Sequence, residues 1–191
     1  MDRRRYLALL ALGLSGCVGA PGDSTPTNTE PAPTDTEITP TPRPPVTDAT
    51  RRDGGEPEWT AVQGLEPDAS PFVTYVVGNP VARPTDIEPR YVVVENQADA
   101  SQTMTVRVRD RTADRPAVEE ELSFPAGGIC QLELAEPARY EVTVTASGVE
   151  TTVTISRFDC NDATTSIFVG PEGTAETQTI STMVGCATAS V

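Results

Sequence analysis

Short runs of alternating apolar and polar residues fill the chain from Trp59 onward. In the run 103–109, Met104, Val106 and Val108 alternate with polar residues, and the run 140–145 repeats the pattern. A period of two places one set of side chains on one face of a β-strand. Nine segments are predicted as strands: Phe72–Val77, Arg90–Asn96, Thr103–Asp110, Val118–Phe124, Ile129–Leu134, Arg139–Ala146, Val149–Ser156, Thr165–Val169 and Thr177–Val184.

One of these runs is apolar throughout. Tyr91-Val92-Val93-Val94 contains no polar position, which predicts a strand that is covered on both faces. Turn-forming residues such as Gly127-Gly128 and Ser147-Gly148 separate the runs. Many short strands at regular spacing, without a long helical pattern, predict an all-β, antiparallel two-sheet sandwich of about seven to nine strands.

The segment Ala138-Arg139-Tyr140-Glu141-Val142 resembles the tyrosine corner of immunoglobulin-like domains. The resemblance spans residues 72–156 and implies that the first seven strands form an A-to-G set, with the last two strands as an added hairpin. Val142 stands where antibody domains have a cysteine, so the core disulfide of that class is missing. A cupredoxin-like or transthyretin-like Greek key remains an alternative fold.

The segment Val18–Glu58 differs from the rest of the chain in composition. It contains nine prolines and nine threonines, together with Asp and Glu, and almost no large apolar residues. Such a segment cannot bury enough surface to offset its ordering entropy, so we expect a disordered linker. The sequence thus predicts three parts: a signal peptide at 1–16, a linker at 17–58 and a sandwich domain at 59–191.

The first sixteen residues have the pattern of an export signal. Three arginines precede the apolar run Tyr6–Leu14, and small residues lead to Gly16 and Cys17. The apolar run is too short for a membrane-spanning helix, which needs about 20 residues. A cysteine directly after the small residues resembles the lipobox of prokaryotic lipoproteins, which implies cleavage between Gly16 and Cys17 and a lipid on Cys17. A soluble secreted protein is the alternative.

The same N-terminus resembles a twin-arginine export signal through Arg3, Arg4, Tyr6 and Leu7. The usual Ser or Thr before the arginines and the Lys after the leucine are absent. An ordinary basic start of a signal peptide is the alternative interpretation.

The charge of the chain is strongly acidic. All 14 basic residues are arginine, against 28 acidic residues, and the net charge is −14. Acidic, lysine-free compositions resemble those of haloarchaeal proteins, in which salt screens the repulsion between carboxylates. Because no basic stripe is present to neutralise phosphates, we expect no nucleic-acid partner.

Three cysteines follow Cys17. Cys130 is in register with Leu132 and is expected in the core, whereas Cys160 and Cys186 lie in loop contexts at the ends of the last hairpin. An oxidising compartment favours pairing. We predict a structural Cys160–Cys186 disulfide, while pairings through Cys130 and a fully reduced state remain open.

Few catalytic chemistries are open to this chain. Without histidine there is no blue-copper centre, zincin motif, Ser-His-Asp triad or Cys-His pair. The run Glu119–Glu121 could serve a carboxylate-dependent hydrolase, but a solvated strand face explains it more simply. The acidic loop Asp159–Asp162 could bind calcium, although ordinary turn formation by Asp and Asn is the simpler explanation.

The sequence therefore predicts a lipid-anchored protein on the extracytoplasmic face of the cell membrane, with no cofactor and no enzymatic activity. It would display a binding or envelope-structural module to a protein or glycan partner at the cell surface. A solute- or cation-binding accessory protein of a membrane complex is the alternative, followed by a carboxylate-dependent hydrolase.

Overall fold

The computed structural model describes residues 49–59, 62–66, 68–84 and 86–182. These residues form ten strands and a short 3₁₀ turn at Pro80–Ala82. The strands are β1 (Ala49–Asp53), β2 (Val73–Val77), β3 (Arg90–Asn96), β4 (Gln102–Asp110), β5 (Arg115–Phe124), β6 (Ile129–Leu134), β7 (Tyr140–Ala146), β8 (Val149–Ile155), β9 (Ala163–Val169) and β10 (Ala175–Ser181). No helix in the described ranges is long and apolar enough to cross a membrane.

The strands assemble into two sheets, and the predicted all-β sandwich is confirmed. One sheet has six strands in the order β1-β2-β6-β3-β9-β10, and the other has four in the order β5-β4-β7-β8. Each of the nine predicted segments overlaps an observed strand, although β4, β5, β9 and β10 begin one to three residues earlier than predicted. The predicted added hairpin is also present, because β9 and β10 pair antiparallel at one edge of the six-stranded sheet.

The predicted linker boundary at residue 58 is wrong. Ala49–Asp53 lies inside the predicted linker, yet it forms β1 and pairs antiparallel with β2. Four of its five residues are exposed, so β1 has no apolar alternation that would mark it as a strand in the sequence. Backbone pairing with β2, not the burial of apolar side chains, holds this segment in the sheet. The part of the predicted linker before residue 49 lies outside the described residues.

The pairing is also less uniformly antiparallel than predicted. β2 runs parallel to β6, and β3 runs parallel to β9. Parallel neighbours need a long crossover connection. The chain provides one in each case, because it passes through strands of the four-stranded sheet between β2 and β6 and again between β3 and β9.

The core lies between the two sheets and follows the alternation seen in the sequence. Met104, Val106 and Val108 of β4 are fully buried, as are Val92 and Val94 of β3. Burying one such aliphatic side chain contributes about 1.5–3 kcal/mol to stability. The inward row of each strand is therefore the main source of stability in the sandwich.

The outer face of the six-stranded sheet is covered as well. Val93 of β3 is fully buried although it points away from the core, which confirms the prediction that this strand is covered on both faces. The connection between β1 and β2 lies over this face: the backbone N–H of Glu58 donates to Oε1 of Gln131 at 3.1 Å, and Val62 is buried. A side chain on Gly64 would touch the Phe168 ring.

Tyr140 forms the tyrosine corner that the sequence predicted. Its side chain is fully buried in β7, and its hydroxyl donates to the carbonyl of Glu136 at 2.7 Å. This bond ties the connection after β6 to the beginning of β7. It thereby fixes the point at which the chain crosses from one sheet to the other.

We predict that Tyr140→Phe lowers the free energy of unfolding by about 1–2 kcal/mol, because a buried hydrogen bond is lost. Tyr75→Phe is the matched control, since Tyr75 is similarly buried but its hydroxyl has no hydrogen-bond partner among the described residues. Removal of that hydroxyl should change stability by less than about 0.5 kcal/mol. Denaturant unfolding at constant salt measures both, and equal losses would contradict the role assigned to Tyr140.

Candidate functional site

A groove of about 510 Å³ opens on one side of the sandwich, between the end of β8 and the β9–β10 hairpin. β8 is an edge strand of the four-stranded sheet and β10 is an edge strand of the six-stranded sheet. On β10, the side chains of Thr177, Thr179 and Ser181 are exposed although they lie on the core-facing side of their sheet. The volume lies within the range of small-molecule sites, roughly 300–1,000 Å³.

The lining of the groove is rich in hydroxyl groups. Its polar neutral residues are Thr154, Ser156, Thr165, Thr179, Ser181, Thr182 and Asn161. The hydroxyls of Thr165 and Thr179 are hydrogen-bonded to each other at 3.0 Å. Ile155 and Ala163 add apolar surface. The hydroxyls can both donate and accept, but most of the exposed lining is apolar, so the groove suits an uncharged partner with apolar as well as hydrogen-bonding surface.

Arg90 fixes one end of the groove. It is the first residue of β3, and its side chain is 6% exposed. Its guanidinium donates to the carbonyl of Arg157 at 2.7 Å, to the carbonyl of Asn161, and to Oδ1 of Asp159 at 2.7 Å. It also lies over the Phe158 ring, 5.8 Å from the centroid. The connection from β8 to β9 is thus held against the start of β3.

Asp159 is fully engaged in this network, so the calcium hypothesis for Asp159–Asp162 is not supported. Its Oδ1 also accepts from the backbone N–H of Asn161 at 3.0 Å, while its Oδ2 accepts from Nε of Arg157 at 2.7 Å. The Asn161 amide and the Arg90 guanidinium hold the pKa of Asp159 well below its usual range. In the described part of the chain, no three acidic or cysteine residues are grouped to hold a metal. The bond from the Asn161 backbone N–H to Oδ1 of Asp159 is of the kind that Asp forms in turns, in agreement with the simpler interpretation.

The glutamate run 119–121 lies on a solvated strand face, as the simpler interpretation predicted. Glu119 and Glu121 are exposed on one face of β5, and Glu120 points the other way. Glu119 pairs with Nε of Arg107 on β4 at 3.0 Å. A carboxylate that is paired and open to water lacks the apolar pocket that a catalytic acid needs.

A pair of neighbouring carboxylates, Glu58 and Glu133, was not predicted from the sequence. Glu133 lies on the covered outer face of the six-stranded sheet, where burial, followed by the nearby Glu58 carboxylate, raises its pKa. Burial and the same two carboxylates raise the pKa of Tyr91. The sequence signal was indirect: the apolar run at β3 predicts a cover, and Glu133 is on the strand that pairs with β3.

The remaining predicted site residues divide between described and undescribed parts of the chain. Cys160 lies half-buried in the connection between β8 and β9. The export motif (Arg3, Arg4, Tyr6, Leu7), the cleavage site (Gly16, Cys17) and Cys186 lie outside the described residues. Cys130 is a free, fully buried thiol in β6, and burial raises its pKa. The prediction that Cys130 sits in the core as a small apolar residue is therefore confirmed.

We predict that Asp159→Asn lowers the free energy of unfolding by about 3 kcal/mol, since it leaves the buried Arg90 charge without its partner. The folded-state pKa of Asp159 lies below its unfolded value of about 3.9. Its contribution is therefore present above about pH 4 and is lost as the pH falls through the folded-state pKa.

The matched control is Arg157→Gln, which removes an 85% exposed partner of the same carboxylate and should cost less than about 1 kcal/mol. Denaturant unfolding of both variants at several pH values makes the comparison. Similar losses for the two variants would show that the buried charge of Arg90 does not depend on Asp159.

Comparisons with known proteins agree with the sandwich fold. No curated protein matches this chain. A solved structure of a proposed cell adhesion protein from Bacteroides ovatus ATCC 8483 is similar at 9% identity, with a TM-score of 0.21 over 49% of this chain and 44% of that chain. That similarity is too low to bear on function. Residues 100–184, from the turn before β4 to a point just past β10, match the family model of the halobacterial Ig-like domain, so the sandwich is immunoglobulin-like.

Proposed function

We propose that this chain is a lipid-anchored extracytoplasmic protein that displays its immunoglobulin-like sandwich as a non-catalytic binding or envelope-structural module. The observation that carries the proposal is the hydroxyl-lined groove between β8 and the β9–β10 hairpin. The acidic groups support this function, because Asp159 beside the groove is engaged by Arg90 and Arg157. Glu119 and Glu121, on the distant strand β5, are exposed to solvent. Hydroxyl groups without an activating base favour binding over chemistry.

The N-terminal sequence supports the anchor. A signal pattern that ends at Cys17 provides the attachment point, and a diacyl-type lipid would hold the protein because stable attachment takes about two chains. The twin-arginine pattern at Arg3 and Arg4 favours export of a folded domain. Because β1 begins at Ala49, residues 17–48 would serve as the stalk in this proposal. In a proline-rich extended form at roughly 3 Å per residue, they would reach about 100 Å.

A solute-binding accessory protein is the second candidate, and the groove volume favours it. About 510 Å³ is enough for a small polar solute. A displayed module would instead bind a protein or glycan of the cell surface through the rims of the same groove. Titration of the purified protein with small polyols, compared with capture of surface glycans, distinguishes the two candidates.

The Cys160–Cys186 disulfide is part of the proposal. The backbone N–H of Thr182 donates to the carbonyl of Asp162 at 2.9 Å, which places residue 182 beside the connection that contains Cys160. Cys186 is four residues further along, within a reach of roughly 14 Å. Of the cysteines in the described ranges, Cys130 is the free one, enclosed in the core. The remaining pair would close the loop around the β9–β10 hairpin.

We predict that Cys17→Ser moves the protein from the membrane fraction into the medium, because the lipid attachment point is lost. Immunoblotting of fractionated cells that express the full chain measures the distribution. Cys130→Ser is the matched control and should leave the protein with the membrane. Retention of the Cys17→Ser variant would exclude anchoring through this residue.

We predict one reactive thiol in the unfolded, unreduced Cys17→Ser chain. A thiol reagent should label Cys130, because unfolding exposes it, while Cys160 and Cys186 remain bonded. Adding Cys130→Ser should abolish labelling, and reduction should then restore two thiols. Labelling of all three cysteines before reduction would be incompatible with the disulfide.

A further inference from the structure

We propose that β10 is a self-association edge, through which two copies of this chain pair antiparallel and join their six-stranded sheets. This inference goes beyond the anchored binding module. It depends on the folded sandwich and not on the lipid, so either proposal can fail without the other.

The first argument is the backbone of β10. Thr182 donates to the carbonyl of Asp162 at 2.9 Å, and Gly170 donates to the carbonyl of Thr174 at 2.8 Å. Hydrogen-bonded pairs alternate along an antiparallel ladder. The even-numbered residues between 174 and 182 therefore direct their backbone groups to β9. The odd-numbered residues direct theirs outward, where no described strand follows: these are Ala175, Thr177, Thr179 and Ser181.

The second argument is the lack of protection at this edge. Natural sheets guard exposed edges with charges, proline, bulges or very short strands. β1 is short and carries Arg51, Arg52 and Asp53, and β5 carries Pro116 and three glutamates. β10 has seven residues, no proline, no irregularity in its pairing and a single charge, Glu176. Its edge is therefore open to a further strand.

The third argument is self-complementarity. With a two-fold axis at Gln178, Thr177 of one copy lies opposite Thr179 of the other, and Glu176 lies opposite Ile180. Threonine pairs across strands are favourable, and the chain already uses two, Thr165 with Thr179 and Thr143 with Thr152. No like charges meet, which matters for two copies that each carry a net charge of −14.

The other three edge strands, β1, β5 and β8, are less suited to pairing with a second copy of themselves. Pairing of β1 with itself about its centre would place Arg51 against Arg51, and pairing of β5 about Glu120 would place glutamates against glutamates. β8 is nearly neutral, but self-pairing about Thr152 sets Glu150 opposite Thr154 of the partner. Thr154 in turn pairs with Glu141 on β7, and Glu141 is compensated by Arg111 at 3.8 Å. Repulsion therefore favours β10 over β1 and β5, and β8 is the edge against which β10 is tested below.

Pairing at β10 would also join the two grooves. Each groove lies on the core-facing side of its hairpin, and a two-fold axis perpendicular to the sheet keeps both on the same side. One longer, symmetric channel would result, with a β8 edge on either side. A seven-residue strand pair alone is smaller than a standard interface of about 1,200–2,000 Å². We therefore expect a weak dimer whose population rises with protein concentration and with salt.

Sedimentation of the purified full chain over a range of concentrations at about 1 M salt, where the Debye length is about 3 Å, tests the proposal. The wild type should form dimers. Thr179→Pro removes an outward N–H from each copy and should weaken dimerisation at least about tenfold, since two hydrogen bonds are lost. Proline is tolerated where the N–H of an edge strand faces solvent, and circular dichroism checks that the variant folds.

Thr154→Pro on β8 is the matched control. The two-residue turn Ser147-Gly148 has positive φ at both residues, which is typical of a type I′ hairpin, and this sets the phase of β8 so that the Thr154 N–H points outward. This variant should dimerise like the wild type. A monomeric wild type, or a loss of dimer in Thr154→Pro but not in Thr179→Pro, would overturn the proposal.

A charge test is independent of proline. Gln178→Glu and Gln178→Arg each place like charges against each other across the two-fold axis, so each variant alone should dimerise less than the wild type. An equimolar mixture of the two variants should recover dimers, because a carboxylate on one copy would then face a guanidinium on the other. The measurement is made at the lowest salt at which the chain stays folded. Failure of the mixture to recover would exclude pairing about this axis.

Discussion

The buried guanidinium of Arg90 is the constraint on which the position of the last two strands depends. A charge that leaves water must be paired and hydrogen-bonded, or it destabilises the fold. The acceptors for Arg90 all come from the connection between β8 and β9: two backbone carbonyls and the Asp159 carboxylate. This connection brings the chain from the four-stranded sheet to the six-stranded sheet. The ion pair therefore holds the start of β9 beside the start of β3, and the β3–β9 and β9–β10 ladders extend from there to β10 and the groove.

The two outer faces of the sandwich have different physical roles. The connection between β1 and β2 covers the six-stranded sheet, so β3 is packed on both sides and Val93 is as buried as its inward neighbours. The outer face of the four-stranded sheet carries charged pairs such as Arg107 and Glu119. An acidic chain can keep this face in contact with water and ions. Under the proposed binding function, a partner would contact the sides and ends of the sandwich, where backbone and hydroxyl groups are accessible.

Local pattern predicted most of the strands, because burial on one face forces alternation in the sequence. It also predicted the role of Tyr140, whose hydroxyl bond closes within four residues. The features that the sequence did not predict either depend on residues far apart in the chain or lie in a segment that is nearly all polar. β1 is held by pairing with β2 and has no apolar row, and the parallel pairing of β3 with β9 depends on a crossover that no short window reports. The groove was not predictable for the same reason, since it arises from strand order. In the sequence, an arginine at the start of an apolar run predicts an exposed strand end. The burial of Arg90 is explained only by its hydrogen-bond partners around residue 159.

The enclosed thiol of Cys130 has a consequence for oxidation. A disulfide forms or exchanges through attack by a thiolate, and Cys130 is shielded from both ionisation and contact once the sheets close over it. Three pairings are available to the cysteines after residue 17 in an open chain, but a closed sandwich leaves one. The sequence of events during maturation therefore matters. If the sheets close before an oxidant reaches the chain, the fold excludes the pairings through Cys130, whereas oxidation before closure would allow Cys130 to form bonds that must be reduced before the sandwich can close.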